Sequence, residues 1–297
     1  MFEPIILLLQ TNLFFFVTSV TVLSLLVGSF LNVVIYRLPK MMENEWHCDC
    51  RELLKDELKK PSKGKAEQTP EVFNLVKPDS HCPSCNAPVK AWQNIPVLSY
   101  LLLKGQCGTC HNKISKRYPA IELLTAVASA VIAYKFGYSA QSLMLIPITW
   151  VFVSLIFIDI DHMLLPDQLT LPVLWAVLVA SHWTVFLTPM ETIWGAVAGY
   201  LCLWTIYWVF KLVTGKEGMG HGDFKLLAVI GAIVGVIKLP MVILMSSIVG
   251  AVVGITMMFM AKAGRDTQIP FGPYLAIAGW IVMLWGNEIF NWYIGYL

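Results

Sequence analysis

Asp159 and Asp223 are the two acidic residues whose positions most favour chemistry. Asp159 ends an apolar segment in FIDIDHMLLPD, and Asp223 precedes another in GMGHGDFKLL. A charged side chain at mid-membrane costs about 2.5–3.5 kcal/mol on insertion scales, so an acid beside a long apolar segment is a candidate for function. Two carboxyl groups that share a site cannot both ionise cheaply, which leaves one base and one proton donor to activate water and protonate a leaving amine. The alternative is that Asp223 only caps a helix after a glycine-rich loop.

Five further residues are candidates for supporting roles at such a site. Gly220 and Gly222 permit backbone conformations that other residues avoid, which can let the following aspartate approach its partner. Asp161 faces elsewhere on a helix than the aspartate two positions before it, and Asp167 follows a proline, where it can cap the next helix. Glu122 lies inside an apolar segment with no basic neighbour. Structural roles remain open for all of them.

Four of the seven cysteines form two C-x-x-C pairs, Cys82 with Cys85 and Cys107 with Cys110. Each pair can direct two thiolates at one metal ion, and two pairs complete the tetrahedron that Zn²⁺ prefers in structural sites. A closed site of four cysteines has no open position for a substrate, so the zinc is expected to hold the loop together. Cys48 and Cys50, in HCDC, are not assigned to it.

The elements that carry these residues are predicted to be membrane helices. Charged residues make up 13% of the 297 residues and hydrophobic residues 57%, which is too apolar for one globule in water. Apolar runs long enough to span a bilayer predict an all-α polytopic protein of about eight transmembrane helices, the short sixth run being the least certain span. The runs lie near 5–36, 119–136, 141–158, 169–188, 192–213, 226–238, 240–261 and 272–296.

The distribution of Lys and Arg predicts the orientation. Fourteen of the twenty-one lie in 37–118, so this segment is expected to be cytoplasmic, and eight spans then put both termini outside. The predicted regions are a first transmembrane helix at 1–37, a cytoplasmic loop at 38–118 and a membrane core at 119–297. The loop contains a flexible arm at 41–78 and then the small zinc-ribbon-like module. No feature indicates binding to nucleic acid.

Seven motifs, in order along the chain, resemble those of the type IV prepilin peptidases. Besides the two cysteine pairs, IDIDHMLLPD and GMGHGDFKLL, they are GSFLNVVIYRLP at 28–39, NIPVLSYLLLKGQC at 94–107, KRYPAIELLTA at 116–126 and IPFGPYLAIAG at 269–279. The resemblance covers nearly the whole chain outside the arm.

The resemblance implies an aspartic membrane protease of the GxGD type, with Asp159 and Asp223 as its catalytic acids. Members of this family remove the basic leader of type IV prepilins and pseudopilins after a Gly, at the cytoplasmic face of the bacterial inner membrane. Members with the cysteine-bearing loop also N-methylate the new N-terminal residue with S-adenosylmethionine. The resemblance assigns no residues to the methyl donor and no oligomeric state; membrane lipid is the other expected partner.

Three alternatives remain open from the residues. The first is a transporter or channel that uses the acids as an ion relay and the zinc module for docking. The second is a membrane metalloenzyme that uses the cysteine-bound metal, and the third is a scaffold for pilus assembly. Each explains the apolar segments, but none requires the whole set of motifs.

Overall fold

A computed structural model describes residues 3–54, 73–216, 218–260 and 270–295 of the protein. These residues form ten α-helices and three short 3-10 helices. The helices are α1 (Glu3–Thr11), α2 (Leu13–Leu53), α3 (Leu98–Leu102), α4 (Arg117–Phe136), α5 (Ala140–His162), α6 (Asp167–Ala180), α7 (Pro189–Thr214), α8 (His221–Val234), α9 (Leu239–Met260) and α10 (Gly272–Ile294). The only extended pairing in the described part of the chain is two isolated β-bridges. The prediction of an all-α protein is therefore confirmed.

Helices occupy all eight predicted apolar segments, but they are not all of membrane length. In the described part of the chain, five regions are long and apolar enough to cross a bilayer, namely Leu13–Leu53, Arg117–Phe136, Ala140–His162, Pro189–Thr214 and Val236–Thr256. The helices α6 and α8 have 14 residues each, a rise of about 21 Å, which is shorter than a hydrocarbon core of about 30 Å. The count of eight spans is thus not confirmed.

The prediction of a flexible arm at 41–78 is wrong for the first thirteen residues, because α2 continues without a break to Leu53. The sequence there, MMENEWHCDCREL, contains two Met, three Glu and one Leu, which favour helix. A helix already formed needs no new nucleus to propagate, so these residues extend it into the polar region. The part of the arm from 55 to 72 lies outside the described residues.

The described chain divides into two compact units, Val20–Val127 and the combination of Met1–Ser19 with Ala128–Leu297. In the second of these, α8 is the central helix and contacts α6, α7 and α10. Eleven of its fourteen residues are among the buried ones, from Asp223 and Phe224 to Val234. The apolar run of this short helix is therefore explained by burial inside the protein.

Helices α7 and α8 touch backbone to backbone. A Cβ atom added at Gly195 would lie 2.1 Å from the carbonyl oxygen of Gly231, and one added at Gly199 would lie 2.4 Å from that of Leu227. Small residues four positions apart on a membrane helix allow this close approach. The contact fixes the position of α8 and of the acid in its first turn.

The Val20–Val127 unit contains most of α2, the start of α4 and the cysteine module between them. A Cβ at Gly28 of α2 would lie 2.8 Å from the Cα of Glu122 in α4, so these two helices also meet at a glycine. Arg37 is buried and donates hydrogen bonds to the carbonyls of Asn74 (3.0 Å) and Pro78 (2.6 Å). It therefore attaches the described end of the predicted arm, at 73–78, to α2.

Candidate functional site

Asp159 lies in the last turn of α5 and is 5% exposed. The helix ends at His162, and the next residue, Met163, has a left-handed backbone (φ 53°) that lets its N–H bond to the carbonyl of Asp159 at 2.9 Å. The chain then turns toward Pro166, which precedes α6. The acid is thus held at a helix end where the backbone changes direction.

Asp223 lies in the first turn of α8 and is 6% exposed. Gly220 is the residue before the helix, and its backbone N–H donates to the Asp223 carboxylate. The Asp223 N–H in turn contacts the carbonyl of Gly220 at 3.3 Å. This acid is therefore also held at a helix end, by the glycine-rich segment that precedes it.

The two acids belong to one site. The charge of Asp159 acts directly on Asp223, and Leu165 lies beside both. A Cβ at Gly222 would lie 2.7 Å from Leu165 Cβ, and a Cβ at Gly272 would lie 2.6 Å from Asp159 Oδ2 and 3.1 Å from Leu165 Cδ1. The ends of α5, α8 and α10 therefore converge on the same small volume.

Each acid has one oxygen that is buried and accepts no hydrogen bond from the described residues. These atoms are Asp159 Oδ2 and Asp223 Oδ1. Asp159 does accept one hydrogen bond from a neighbouring backbone group, the N–H of Gly272 in the first turn of α10. Buried acceptors without a donor are rare in folded proteins and costly, so a pair of them marks a place built to receive a polar group.

The four cysteines of the two C-x-x-C pairs form a second cluster, in the Val20–Val127 unit. Their Sγ atoms all lie within 4.8 Å of one another, and those of Cys82 and Cys110 are 3.8 Å apart. A tetrahedron with Zn–S bonds of about 2.3 Å has S–S edges of about 3.8 Å. The cluster therefore has the dimensions and donor set of a structural zinc site.

The two cysteine pairs are held by equivalent turns. Cys82 N–H bonds to the carbonyl of Ala87, and Cys107 N–H bonds to that of Asn112. Asn86 and His111, which follow each pair, both have a left-handed backbone, with φ of 53° and 56°. The side chain of Asn112 donates to the Ser84 hydroxyl of the other turn. Two copies of one eight-residue turn, 81–88 and 106–113, therefore build the cluster.

Backbone N–H groups favour the thiolate form in each turn. Those of Cys110 and Thr109 lower the pKa of Cys107 to about 6, and those of Ser84 and Cys85 lower the pKa of Cys82. At Cys85 the N–H of Ala87 also lowers the pKa, but burial and the three neighbouring thiols outweigh it and raise the pKa to about 11. Four thiols at this spacing ionise together only beside a cation.

Comparisons with known proteins identify the family of the chain. The model of the type IV leader peptidase family matches residues 146–255, and that of the bacterial peptidase A24 N-terminal domain matches residues 22–136. A protein of Stutzerimonas stutzeri, named prepilin leader peptidase/N-methyltransferase, is 51% identical over 95% of this chain and 94% of its own length. The chain belongs to the type IV leader peptidase family.

Other members of the leader peptidase family are similar over the same extent. A protein of the same name from Pseudomonas aeruginosa is 50% identical over 94% of this chain and 93% of its own length. One from Neisseria gonorrhoeae is 45% identical over 94% of this chain and 95% of its own length. No solved structure matches the chain.

Of the residues predicted to support the acids of this leader peptidase, Gly220 and Gly222 lie at the site, as described above. Asp161 is exposed, and Asp167 binds the ammonium of Lys225 at 2.6 Å and 2.7 Å. That ion pair joins the start of α6 to α8 at the surface. Asp167 therefore has a structural partner of its own.

Glu122 belongs to the Val20–Val127 unit, where it is 7% exposed. One carboxylate oxygen accepts the N–H of Val97 at 2.8 Å, and Ser29 also hydrogen-bonds to it. Val97 has an unusual backbone with φ of 58°, which this bond helps to hold. In this unit Glu122 fixes the NIPVLS segment against α2.

Sequence reasoning missed two residues of the acid site in this leader peptidase, Gly272 and Leu165. The motif IPFGPYLAIAG contains Gly272, and a Gly-Pro pair is a signal for the first turn of a helix. That signal identifies a helix start but not the acid that lies against it. Leu165 is one apolar residue among many, and nothing in the sequence distinguishes it.

Proposed function

We propose that this chain is a membrane aspartic endopeptidase that removes the basic leader of type IV prepilins and pseudopilins, with Asp159 and Asp223 as its catalytic pair. Membership of the leader peptidase family supports the activity. The observation that carries the assignment of residues is the meeting of two buried acids, each with an unpartnered oxygen. A transporter or a scaffold does not need such a pair.

The chemistry follows from one proton shared by two carboxyl groups. The ionised carboxyl takes a proton from a water molecule, and the resulting hydroxide attacks the carbonyl carbon of the scissile amide. The protonated carboxyl donates to the carbonyl oxygen. As the C–N bond breaks, the proton gained by the other acid goes to the leaving amine, and one hydroxyl of the gem-diol returns its proton to the first carboxyl. Asp159 Oδ2 and Asp223 Oδ1 are the acceptors available to hold the water. Gly272 and Gly220, through their N–H groups, fix the orientation of the carboxylates.

The substrate assignment rests on the names of the relatives and on the family motifs. Prepilins carry a short basic leader, a Gly at the cleavage position and then an apolar helix. An apolar helix can lie within the bilayer, while a basic leader stays with the cytoplasmic loops. The excess of Lys and Arg in 37–118 supports a cytoplasmic face for this loop, in the inner membrane of a bacterium.

The second activity in the relatives' name is N-methyl transfer. Cleavage creates a free α-amine at the new N-terminus, and this amine is the acceptor for the methyl group of S-adenosylmethionine. The two activities then act in sequence on one substrate. The Val20–Val127 unit, with its cysteine module, is the part of the chain that the family resemblance associates with this step.

The zinc assignment rests on the fit of the four cysteines. Cys82, Cys85, Cys107 and Cys110 supply all four ligands, so the ion has no open position for a reactant. Its expected role is to hold the two equivalent turns together. This role separates the protein from a metalloenzyme, in which zinc would take part in hydrolysis.

The test uses Asp159→Asn and Asp223→Asn variants of the full chain, each incubated with a prepilin in detergent. Mass spectrometry of the product reports the position of the cut and the added methyl group together. We expect each substitution to lower leader removal by more than about 10³-fold, as losses of catalytic groups do. The matched control is Asp161→Asn, which makes the same change at an exposed position two residues away.

Three results would contradict this assignment. Leader removal that survives in both variants would favour the transporter or scaffold. A loss in the Asp161→Asn control as large as in the other two would mean that any change at this helix end disturbs the fold. Chelation that stops leader removal while the membrane helices stay folded would favour the metalloenzyme.

A further inference from the structure

A cavity of about 300 Å³ lies in the unit that contains the acid pair, at a distance from the acids. It is lined by the end of α4, the start of α5, the loop before α7, the end of α8, the turn before α9 and the second half of α10. Its charged lining residues are Lys135, Lys238 and Glu288, and Gln141 and Asn287 contribute amides. The rest of the wall is mainly apolar, with Phe136, Phe186 and Leu145 among its residues.

The charges in this cavity do not balance. Lys135 forms an ion pair with Glu288 at 2.5 Å and also lies 5.4 Å from the ring centre of Trp285. Lys238 makes no ion pair with any described residue, although its charge acts on Glu288 from a distance. Two ammonium groups and one carboxylate leave a net charge of +1 inside a partly enclosed space.

The shape of α10 makes room for Lys238. A Cβ atom at Gly286 would lie 3.3 Å from Lys238 Cδ, so the absence of a side chain there lets the lysine stem lie against the helix. Lys238 is half-buried, with its apolar stem against Gly286 and its ammonium within electrostatic range of Glu288. The cation is thus positioned by packing and not left free on the surface.

The cavity and the acids lie at opposite ends of the same helices. Fourteen residues of α5 separate Leu145, in the cavity wall, from Asp159, a rise of about 21 Å. Eleven residues of α8 separate Val234 from Asp223, a rise of about 17 Å. In a bilayer, the cavity therefore faces the leaflet opposite to the one that meets the acids.

We propose that this cavity binds the phosphodiester of an anionic phospholipid, with the phosphate between Lys135 and Lys238. A phosphodiester carries one negative charge and balances the net charge of the cavity. The apolar wall then contacts the start of an acyl chain, which a free phosphate ester lacks. A zwitterionic lipid adds an ammonium group beside two lysines, so the net charge of the occupied cavity is again +1. We therefore expect tighter binding of a lipid with a glycerol headgroup than of one with an ethanolamine headgroup.

The experiment is native mass spectrometry of the delipidated full chain in detergent, with phosphatidylglycerol and phosphatidylethanolamine of identical acyl chains as probes. We expect retention of phosphatidylglycerol and about tenfold weaker binding of it by Lys238→Gln, the loss expected for one charge-assisted contact. Lys238→Arg keeps the charge and is expected to keep the binding. A third probe, glycerol phosphate, distinguishes the source of the anion, and at equal concentration it should not displace the lipid.

A second cavity variant distinguishes a loss of lipid binding from misfolding of the protein. Asn287→Asp changes an exposed residue of the cavity wall without changing its size and cancels the net charge. It should weaken phosphatidylglycerol binding as Lys238→Gln does. The matched control is Asn291→Asp, an exposed residue one turn further along α10 and outside the cavity wall. Equal binding of the two lipids, unchanged binding in both cavity variants, displacement by glycerol phosphate, or an equal loss in the control would each overturn the proposal.

Discussion

The acid site and the cysteine module solve the problem of placing reactive groups in different ways. The module is local, because each of its two eight-residue turns supplies two thiols and the backbone N–H groups beside them. The acid site is assembled from a distance, since Asp159 and Asp223 are separated by sixty-four positions and meet only through the packing of α5, α8 and α10. The module has dimensions that four ligands and one ion satisfy completely, whereas the acid site keeps two acceptors unpaired. A metal site whose four ligands are all protein thiols indicates a structural role, whereas buried carboxylate oxygens without a hydrogen-bond donor indicate a catalytic role.

The largest expected effect on leader removal is at the acid site. A double variant, Asp159→Asn with Asp223→Asn, should lose no more leader removal than either single variant, because groups that act as one unit are strongly non-additive. Rates of leader removal for all four proteins give the coupling. Effects of the two substitutions that simply multiply would mean that the acids work independently, and the idea of one shared proton would fail.

The glycines around the acids provide the next test. Gly272→Ala places a Cβ 2.6 Å from Asp159 Oδ2, and Gly222→Ala places one 2.7 Å from Leu165 Cβ, whereas the nearest atom for Gly220→Ala is 3.9 Å away. We expect the first two substitutions to lower leader removal by at least about 10²-fold through misplacement of a catalytic group. Gly220→Ala should change it by less than about tenfold.

Gly220→Ala is the matched control in this series, since it is the same substitution within the same motif. Zinc content should be unaffected in all three variants, because the cysteine module lies in the other unit. If Gly220→Ala is as damaging as Gly222→Ala, then the motif acts through backbone flexibility and not through the close contact with Leu165.

The acids and the cysteines could be predicted from sequence for different reasons. C-x-x-C spacing is a local signal, because it is enough by itself to place two thiols at one metal ion. The two aspartates are unusual because a charge beside an apolar segment is costly. Gly272 and Leu165 could not be predicted, because their role exists only where α10 and the turn after α5 meet. The same limit explains the sixth apolar run, which has the composition of a short membrane span but is buried by α6, α7 and α10.

Removal of the zinc ligands should have a smaller effect on leader removal than changes at the acids. Cys82→Ser combined with Cys110→Ser takes one ligand from each turn, and we expect the protein to lose its zinc, as metal analysis would report. Leader removal should fall by less than about tenfold when the membrane helices stay folded. Cys48→Ser with Cys50→Ser is the control, since these cysteines are exposed and outside the cluster.

A loss of leader removal in the zinc-free variant as complete as in Asp159→Asn would remove the distinction between the two regions. It would assign the metal to the hydrolytic step, provided that circular dichroism shows the same helix content as in the unchanged protein.

The smallest effect is expected at the surface ion pair of Asp167 and Lys225. Their side chains are 51% and 30% exposed, and pairs of this kind contribute about 0–1 kcal/mol to stability. Asp167→Asn should therefore leave leader removal within about twofold and shift thermal unfolding only slightly. A double-mutant cycle with Lys225→Gln measures the pair by itself. A large loss of leader removal would give Asp167 a role at the acid site.

The contact between α7 and α8 restricts how the acid site can admit a peptide. With Gly195 against Gly231 and Gly199 against Leu227, neither helix can rotate or slide past the other without a clash of main-chain atoms. The two helices must then travel as one rigid body. Entry of a substrate therefore requires displacement of this pair relative to the other helices near the acids, α5, α6 and α10.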